Sequence, residues 1–409
     1  MSSEATTRNI VIIGGGIIGC TTAYYLSRHP QFASSSTKIT LIEASKHGIA
    51  QGASGKAGGL VAQWAYPKEL VKVSFPEHVR LAEEHNGAER WGWRFVACGS
   101  WEGRGEDIDE GTGTGVGAGG ERKSLEKTFG LDAPTHLAET GLPADLNWIK
   151  DELTSAYSPM APAGATAQVH PYLFSRSMLD LARERGVELV SGKVTAIDID
   201  KTADRRVSGV TYTPCDGGES RKIPATHVVL AAGVWSRQVL PAVPVVGTRA
   251  HSITIRPPPS AAPLAAHVLF TEIALPGAHA SPEIYARPSN EAYCCGPGDD
   301  SSVPDTVDDV EVDEAACESI RAHVASISPV LRAGTVQRRQ ACFLPVVSTG
   351  GGPIVGEAAS IAAGLLIATG HTCWGISNAP GTAKAIAELI MDGKISCADL
   401  QKLRPARFL

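Results

Sequence analysis

The run Ile10-Val-Ile-Ile-Gly-Gly-Gly-Ile-Ile-Gly19 leaves this chain little freedom in how its amino-terminal part folds. A short apolar stretch, residues 9–13, meets Gly14-x-Gly16-x-x-Gly19 and passes into a helical pattern over residues 16–28. Gly14 permits the tight turn from strand to helix. Gly16 lets backbone approach a pyrophosphate with no Cβ in the way, and Gly19 lets helix and strand pack closely. Ile17 and Ile18 lie in the first turn, where free N–H groups and a partial positive charge face the phosphates. Residues 38–43 read as a second buried strand, which completes a βαβ unit. Glu43 ends that strand, just before Ala44, and is placed to accept both ribose hydroxyls. Its charge repels a 2′-phosphate, which argues against NADP. The plainer alternative, a Gly-rich turn in an unrelated α/β domain, leaves the sequence of strand, helix and acid unexplained.

The 409 residues suffice for two or three domains, and 43% hydrophobic with 20% charged residues is ordinary for a soluble enzyme. A formal net charge of -6 gives no electrostatic footprint for nucleic acid. No stretch approaches the ~20 apolar residues of a membrane span. The first residues lack the basic and apolar regions of a secretory signal. Nine cysteines without a C-x-x-C pair argue against a disulfide framework and against a metal site. Cys294-Cys295 reads as two small strand residues pointing to opposite faces. The expected compartment is the cytoplasm. A peroxisome is the alternative, because Ala406-Arg-Phe-Leu409 loosely matches a peroxisomal address without being Ser-Lys-Leu.

Further along, residues 172–186 read as an amphipathic helix ending at Gly186, with strands at 187–191, 193–200 and 227–231. Residues 243–256, 283–287 and 290–296 read as sheet, and 312–327 as helix. The chain closes with a strand at 364–368, a Gly-rich turn and a helix from about 380 to 391. Residues 103–120 are too Gly-rich to build a core and read as a flexible insertion. Dinucleotide motifs thus occur at both ends of an α/β chain. Residues 1–60, 165–235 and 340–409 are expected to form a discontinuous Rossmann-like domain. Residues 61–164 and 236–339 would form an inserted mixed-sheet domain that roofs it.

Four further segments carry a resemblance. They are Gly52-Ala-Ser-Gly-Lys-Ala-Gly-Gly-Leu60; Gln168-Val-His-Pro171 with its following helix and strand to Val194; Val228-Val-Leu-Ala-Ala-Gly-Val-Trp-Ser236; and Ala368-Thr-Gly-His-Thr-Cys-Trp-Gly-Ile376. In these the chain resembles the D-amino-acid oxidase (DAO) superfamily of FAD enzymes, closest in pattern to the glycine and sarcosine oxidase branch. It is similar also to a fungal group of Tda-type oxidoreductases. The resemblance implies FAD as cofactor. It places Ala53, Ser54, Gly58, Gly59 and Leu60 beside the flavin, and the Val194 backbone at the adenine. Ala232, Gly233 and Trp235 would lie against the dinucleotide. Gly370, His371, Trp374, Gly375 and Ile376 would form the flavin loop, where a helix N-terminus stabilises negative charge on the reduced ring.

The chemistry so implied is oxidation of a C–N bond in a small amine or amino-acid derivative, by hydride transfer to flavin N5. The protein then supplies orientation and a dry cavity. Leu344 stands where glycine-oxidase-like members carry the arginine that pairs with the substrate carboxylate, and Cys373 or Trp374 stands where a second arginine is found. Bidentate carboxylate recognition needs a guanidinium. The candidates left are Arg249, Arg287, Arg338 and Arg339, with His251, His371 and Trp374 as further catalytic candidates. Cys342 falls where some relatives bond covalently to the flavin; the competing reading is a small buried cysteine near the ring. Residues 291–296 lack the lysine that promotes oxygen reduction in sarcosine-oxidase-like enzymes, so "oxidoreductase" is the expectation rather than "oxidase". A pyridine-nucleotide enzyme would have no need of the 52–60 and 370–375 loops. A second alternative is an FAD-binding protein with little turnover, acting in trafficking or as an interaction module. A serine hydrolase is set aside, because Ala53-Ser54-Gly55 is no G-x-S-x-G elbow after a strand.

Overall fold

A computed structural model describes residues 7–107, 141–200 and 203–409. Beyond residue 107, the Gly-rich insertion expected at 103–120 lies outside the described residues. The fold is α/β with mixed sheets. The strand Arg8–Ile13 is Ile- and Val-rich because both its faces are buried. Ile10 and Ile12 pack under helices, while Val11 and Ile13 pack on the other face with Val210, Tyr212 and Leu230.

That strand lies inside a sheet ordered Arg221–Pro224, Val207–Pro214, Glu188–Ile199, Thr37–Glu43, Arg8–Ile13, His227–Leu230, Leu365–Thr369, Ile354–Glu357. The five strands from Glu188–Ile199 to Leu365–Thr369 are parallel, and antiparallel strands close both edges. Helices Ile17–Ser27, Pro171–Arg183 and Gly375–Asp392 contribute to the core on one face. The strands expected at 187–191 and 193–200 are one strand, Glu188–Ile199.

A second sheet runs Thr335–Val347, Val245–Arg256, Glu291–Asp299, Glu283–Arg287, His267–Leu275, Ala97–Arg104, Thr154–Pro159, with Ala278–Ala280 paired to His267–Leu275. One face packs on helix Glu314–Ile327 through Cys317, Ile320 and Val324, with Trp101 and Trp148 filling the same core. Asp313 caps that helix by accepting from the N–H groups of Ala315 and Ala316 at 2.9 and 3.2 Å, which contributes about 1 kcal/mol. The opposite face carries Phe270, Tyr285, Tyr293 and Leu344 into a shared cluster with Leu60 and Trp374. A small sheet, Leu60–Ala62, Thr166–Gln168 and Arg94–Phe95, lies beside it.

Two helices differ from expectation. The terminal helix starts at Gly375, not near 380, and Pro380 sits inside it. Pro380 has no N–H, so the Ile376 carbonyl loses its helical donor. His78 Nε2 lies 3.0 Å from that carbonyl and supplies the missing bond. Ser74, one turn earlier, accepts from Gly381 N–H at 2.9 Å and donates to Asn378 O at 3.2 Å. Both residues belong to helix Lys68–Glu84, within the part read as sheet-like. Its apolar stripe, Leu70, Phe75 and Leu81, is interrupted by polar Ser74 and His78, which are buried for the sake of the neighbouring helix.

None of the nine cysteines is in a disulfide. Among the described residues no helix is long and apolar enough to cross a membrane.

Candidate functional site

A cavity of about 500 Å³ opens at the carboxyl ends of the parallel strands, where such sheets receive ligands. Of the sequence-predicted residues, Gly14, Gly16, Ile17 and Ile18 line it at the first turn. Glu43, Ala44 and Val194 line it at the expected ribose and adenine end. Ala53, Ser54, Ala232, Gly233 and Trp235 form its middle, and His371, Gly375 and Ile376 its far end.

The turn is built for close backbone approach. Gly14 has φ +108°, and a Cβ there would lie 2.5 Å from Ala231 O, so only glycine fits. A Cβ on Gly16 would lie 2.9 Å from Ser54 Oγ. Ser54 Oγ instead accepts the Ile17 N–H at 2.9 Å and so joins the turn to the 52–60 loop. Glu43 accepts Gly15 N–H through Oε2 and Ser45 N–H through Oε1, both at 2.7 Å. Burial raises its carboxyl above the usual range, and those backbone bonds oppose the rise. Each oxygen keeps lone pairs for hydroxyl donors. The cradle fits a dinucleotide: the free N–H groups at the N-terminus of Ile17–Ser27 would suit a pyrophosphate and the Glu43 oxygens ribose hydroxyls.

A strap that the sequence did not reveal crosses this end. Asp305, Thr306 and Val307 line the cavity. Asp308 accepts from Ser45 Oγ at 2.5 Å and from Lys46 N–H at 2.9 Å. Lys193 pairs with Asp305 at 2.9 Å, and Trp235 Nε1 donates to Pro304 O at 2.9 Å. The acid-rich string 305–309 is its one sequence signal.

At the far end, Phe343, Leu344, Pro345 and Cys373 complete the wall. His371 is buried, its Nε2 2.9 Å from Thr382 Oγ1, and burial pushes its pKa down to about 3. It is therefore a neutral imidazole. Trp374, at the N-cap of Gly375–Asp392, makes no side-chain cap bond, so the positive end of the helix dipole meets the cavity at Gly375.

The remaining predicted residues do not line the cavity. A Cβ on Gly19 would lie 1.9 Å from Gly14 O, so helix and turn lie against each other there. Gly58, Gly59, Leu60 and Gly370 lie behind the wall, where Gly58 touches the Tyr285 ring, Gly59 meets Val169 O and Gly370 meets Val347. Trp374 packs edge-on against Trp64 at 5.4 Å. Cys342 is buried on its strand and its thiol is pushed up to about 11 by burial. Lys56, for which the sequence gives no signal, donates to the neighbouring Ala341 O at 3.0 Å.

None of the arginine candidates lines the cavity. Arg249 pairs with Asp299 at 3.0 Å, and His251 Nε2 accepts the Asp313 N–H at 3.0 Å. Arg287 is buried, bonded to Glu291 at 3.2 Å and to Ala57 O at 2.7 Å, with its guanidinium 4.9 Å from the Tyr293 ring centroid. Arg338 and Arg339 are exposed, and Arg339 pairs with Glu314 and Glu318. Among the described residues, the charged ones that line the cavity are Glu43, Lys193 and Asp305.

Comparison with known proteins gives a consistent picture. The model of the DAO family, described as FAD dependent oxidoreductase, matches residues 9–389. TDA3 of Saccharomyces cerevisiae is 33% identical, covering 97% of this chain and 94% of that protein. C1F5.03c of Schizosaccharomyces pombe is 32% identical, covering 98% of each. Among solved structures, iminodiacetate oxidase from Chelativorans sp. BNC1 superposes with TM-score 0.68 at 22% identity, covering 97% of this chain and 98% of that one. Glycine oxidase from Geobacillus kaustophilus gives 0.67 at 19% identity, covering 98% and 100%. At those identities the solved structures speak for the fold.

Proposed function

The chain belongs to the DAO family of FAD-dependent oxidoreductases, and on that premise we propose that it oxidises the C–N bond of a small amine or amino-acid derivative. The carrying observation is the cavity itself, which runs from the ribose acid Glu43 to an apolar end at Leu344 and Cys373, beside the helix N-terminus at Gly375. When bound, FAD supplies the hydride acceptor. This chain's residues then do three things. The 52–60 loop and Phe343–Pro345 exclude water from the reacting end. The first N–H groups of Gly375–Asp392 favour negative charge beside them. His371 stays unprotonated at working pH and adds no positive charge there.

Structural neighbours that act on C–N compounds support this reading, the iminodiacetate and glycine oxidases among them. We propose too that the first large sheet belongs to a nucleotide domain (1–60, 165–235 and the chain after Val347) and the second to a substrate domain (61–164, 236–347), because Thr335–Val347 runs through the second sheet past the boundary expected at 340. The test is anaerobic mixing of the FAD-loaded protein with a panel of primary amines, secondary amines and amino acids. Bleaching of the flavin bands by at least one member is expected. A flavin that dithionite bleaches and no panel member does would reject the proposal.

A further inference from the structure

We propose that the strap at 304–308 is a gate for the cofactor: its feet stay on the second sheet, and its tip, latched to the first sheet by polar bonds, lifts to let the dinucleotide in and out. The proposal rests on the reading of the cavity as an FAD site and does not depend on what the flavin oxidises.

Both feet stand on one strand. Asp299, at the end of Glu291–Asp299, pairs in register with Arg249 and accepts from its Nε at 3.0 Å. Asp313, the cap of helix Glu314–Ile327, gives its N–H to His251 Nε2 at 3.0 Å. Arg249 and His251 are two residues apart on Val245–Arg256, so residues 300–312 leave and rejoin the second sheet at neighbouring points. That is the form of an Ω-loop, whose close ends can stay fixed while its tip moves.

The tip reaches the other sheet. Asp305, Thr306 and Val307 line the cavity together with Glu43, Lys193 and Val194, so a ligand at that end shares its wall with the loop. A Cβ on Gly52 would lie 3.6 Å from Val307 Cγ2 and 3.7 Å from the Trp235 ring, which puts the tip against the 52–60 loop. The latch is polar. Lys193 Nζ meets the Asp305 carboxylate at 2.9 Å and its carbonyl at 3.2 Å. Pro304 O accepts from Trp235 Nε1 at 2.9 Å and from Gln238 Nε2 at 3.3 Å. Asp308 accepts from Ser45 Oγ at 2.5 Å and from Lys46 N–H at 2.9 Å.

Little apolar burial adds to these bonds, because no residue from Ser301 to Val310 is buried. The Asp305 side chain is 83% exposed, and an exposed pair of this kind contributes little. Segments with few buried apolar contacts open at a small fraction of the free energy of global unfolding, so the tip can lift without disturbing either core. Every bond of the latch joins one protein group to another. Loosening a contact to a ligand speeds release alone. Loosening a latch between protein groups speeds release and uptake by the same factor and leaves the affinity unchanged.

Ser45 and Asp308 provide the test, since neither lines the cavity. FAD-loaded protein is diluted to several concentrations and its flavin fluorescence followed to the new equilibrium, which yields release and uptake rates together. Asp308→Ala should quicken both by roughly tenfold and keep Kd within about twofold. Ser45→Ala should quicken both by roughly threefold, and the double variant should match Asp308→Ala, because the Ser45 hydroxyl acts through that carboxylate. Release quickened without uptake would make the segment a ligand contact and not a gate. Unchanged rates, or effects that multiply in the double variant, would overturn the latch. Rates that respond as expected while no amine bleaches the flavin would support the gate and remove the amine reading. Bleaching by an amine with both rates unmoved would sink the gate and leave amine oxidation standing.

Discussion

Replacing His78 by Phe removes the donor to the Ile376 carbonyl while keeping a ring against Trp93 and Phe174. An unsatisfied buried carbonyl costs about 1–3 kcal/mol, so at pH 8 the variant should be less stable by about 2 kcal/mol. The pH dependence should also change. His78 is 1% exposed and its Nδ1 is buried with no partner, so burial lowers its pKa from 6.5 to about 4. With the folded-state pKa below the unfolded one, the unfolded chain binds the proton first. Wild type therefore loses stability as pH falls from about 6.5 to 4, by up to about 3 kcal/mol. His371 and His170 are depressed in the same sense, but they remain in the variant and cancel in the difference. Urea unfolding at pH 8, 6 and 4.5 measures both effects. The gap between the proteins should be widest at pH 8 and close, or reverse, by pH 4.5. A constant gap, or none at pH 8, would refute the account of Pro380 and its repair.

Gly14→Ala places a Cβ 2.5 Å from Ala231 O at φ +108°, and the variant should emerge from purification with less than about a tenth of the wild-type flavin per chain. Asp308→Ala removes the acceptor for Ser45 Oγ and Lys46 N–H, so FAD release on dilution into flavin-free buffer, read from the flavin fluorescence recovered, should quicken roughly tenfold with little change in melting temperature. Because Cys342 lies behind the cavity wall as a neutral thiol, acid precipitation should leave the flavin in the supernatant. Flavin retained in the pellet would establish a covalent bond instead.

The nucleotide end of the site was the most legible part of the sequence. Its determinants are local: a glycine at positive φ, an acid at a strand end and small residues where backbone meets ligand. The far end was legible only through resemblance, since nothing local says that Leu344 rather than an arginine faces the cavity. What escaped depends on partners distant in sequence. His78 and Ser74 look like breaks in a helical stripe until Pro380, some 300 residues on, supplies the reason they are buried. The strap at 304–308 reads as an acidic loop until Ser45, Lys193 and Trp235 are seen to hold it.

Equilibrium binding of FAD to the purified protein tests the central claim most directly. The cavity from Gly14 to Gly375 predicts a yellow protein carrying about one equivalent of FAD, lost in Gly14→Ala. A colourless, folded protein that takes up no added FAD would contradict it.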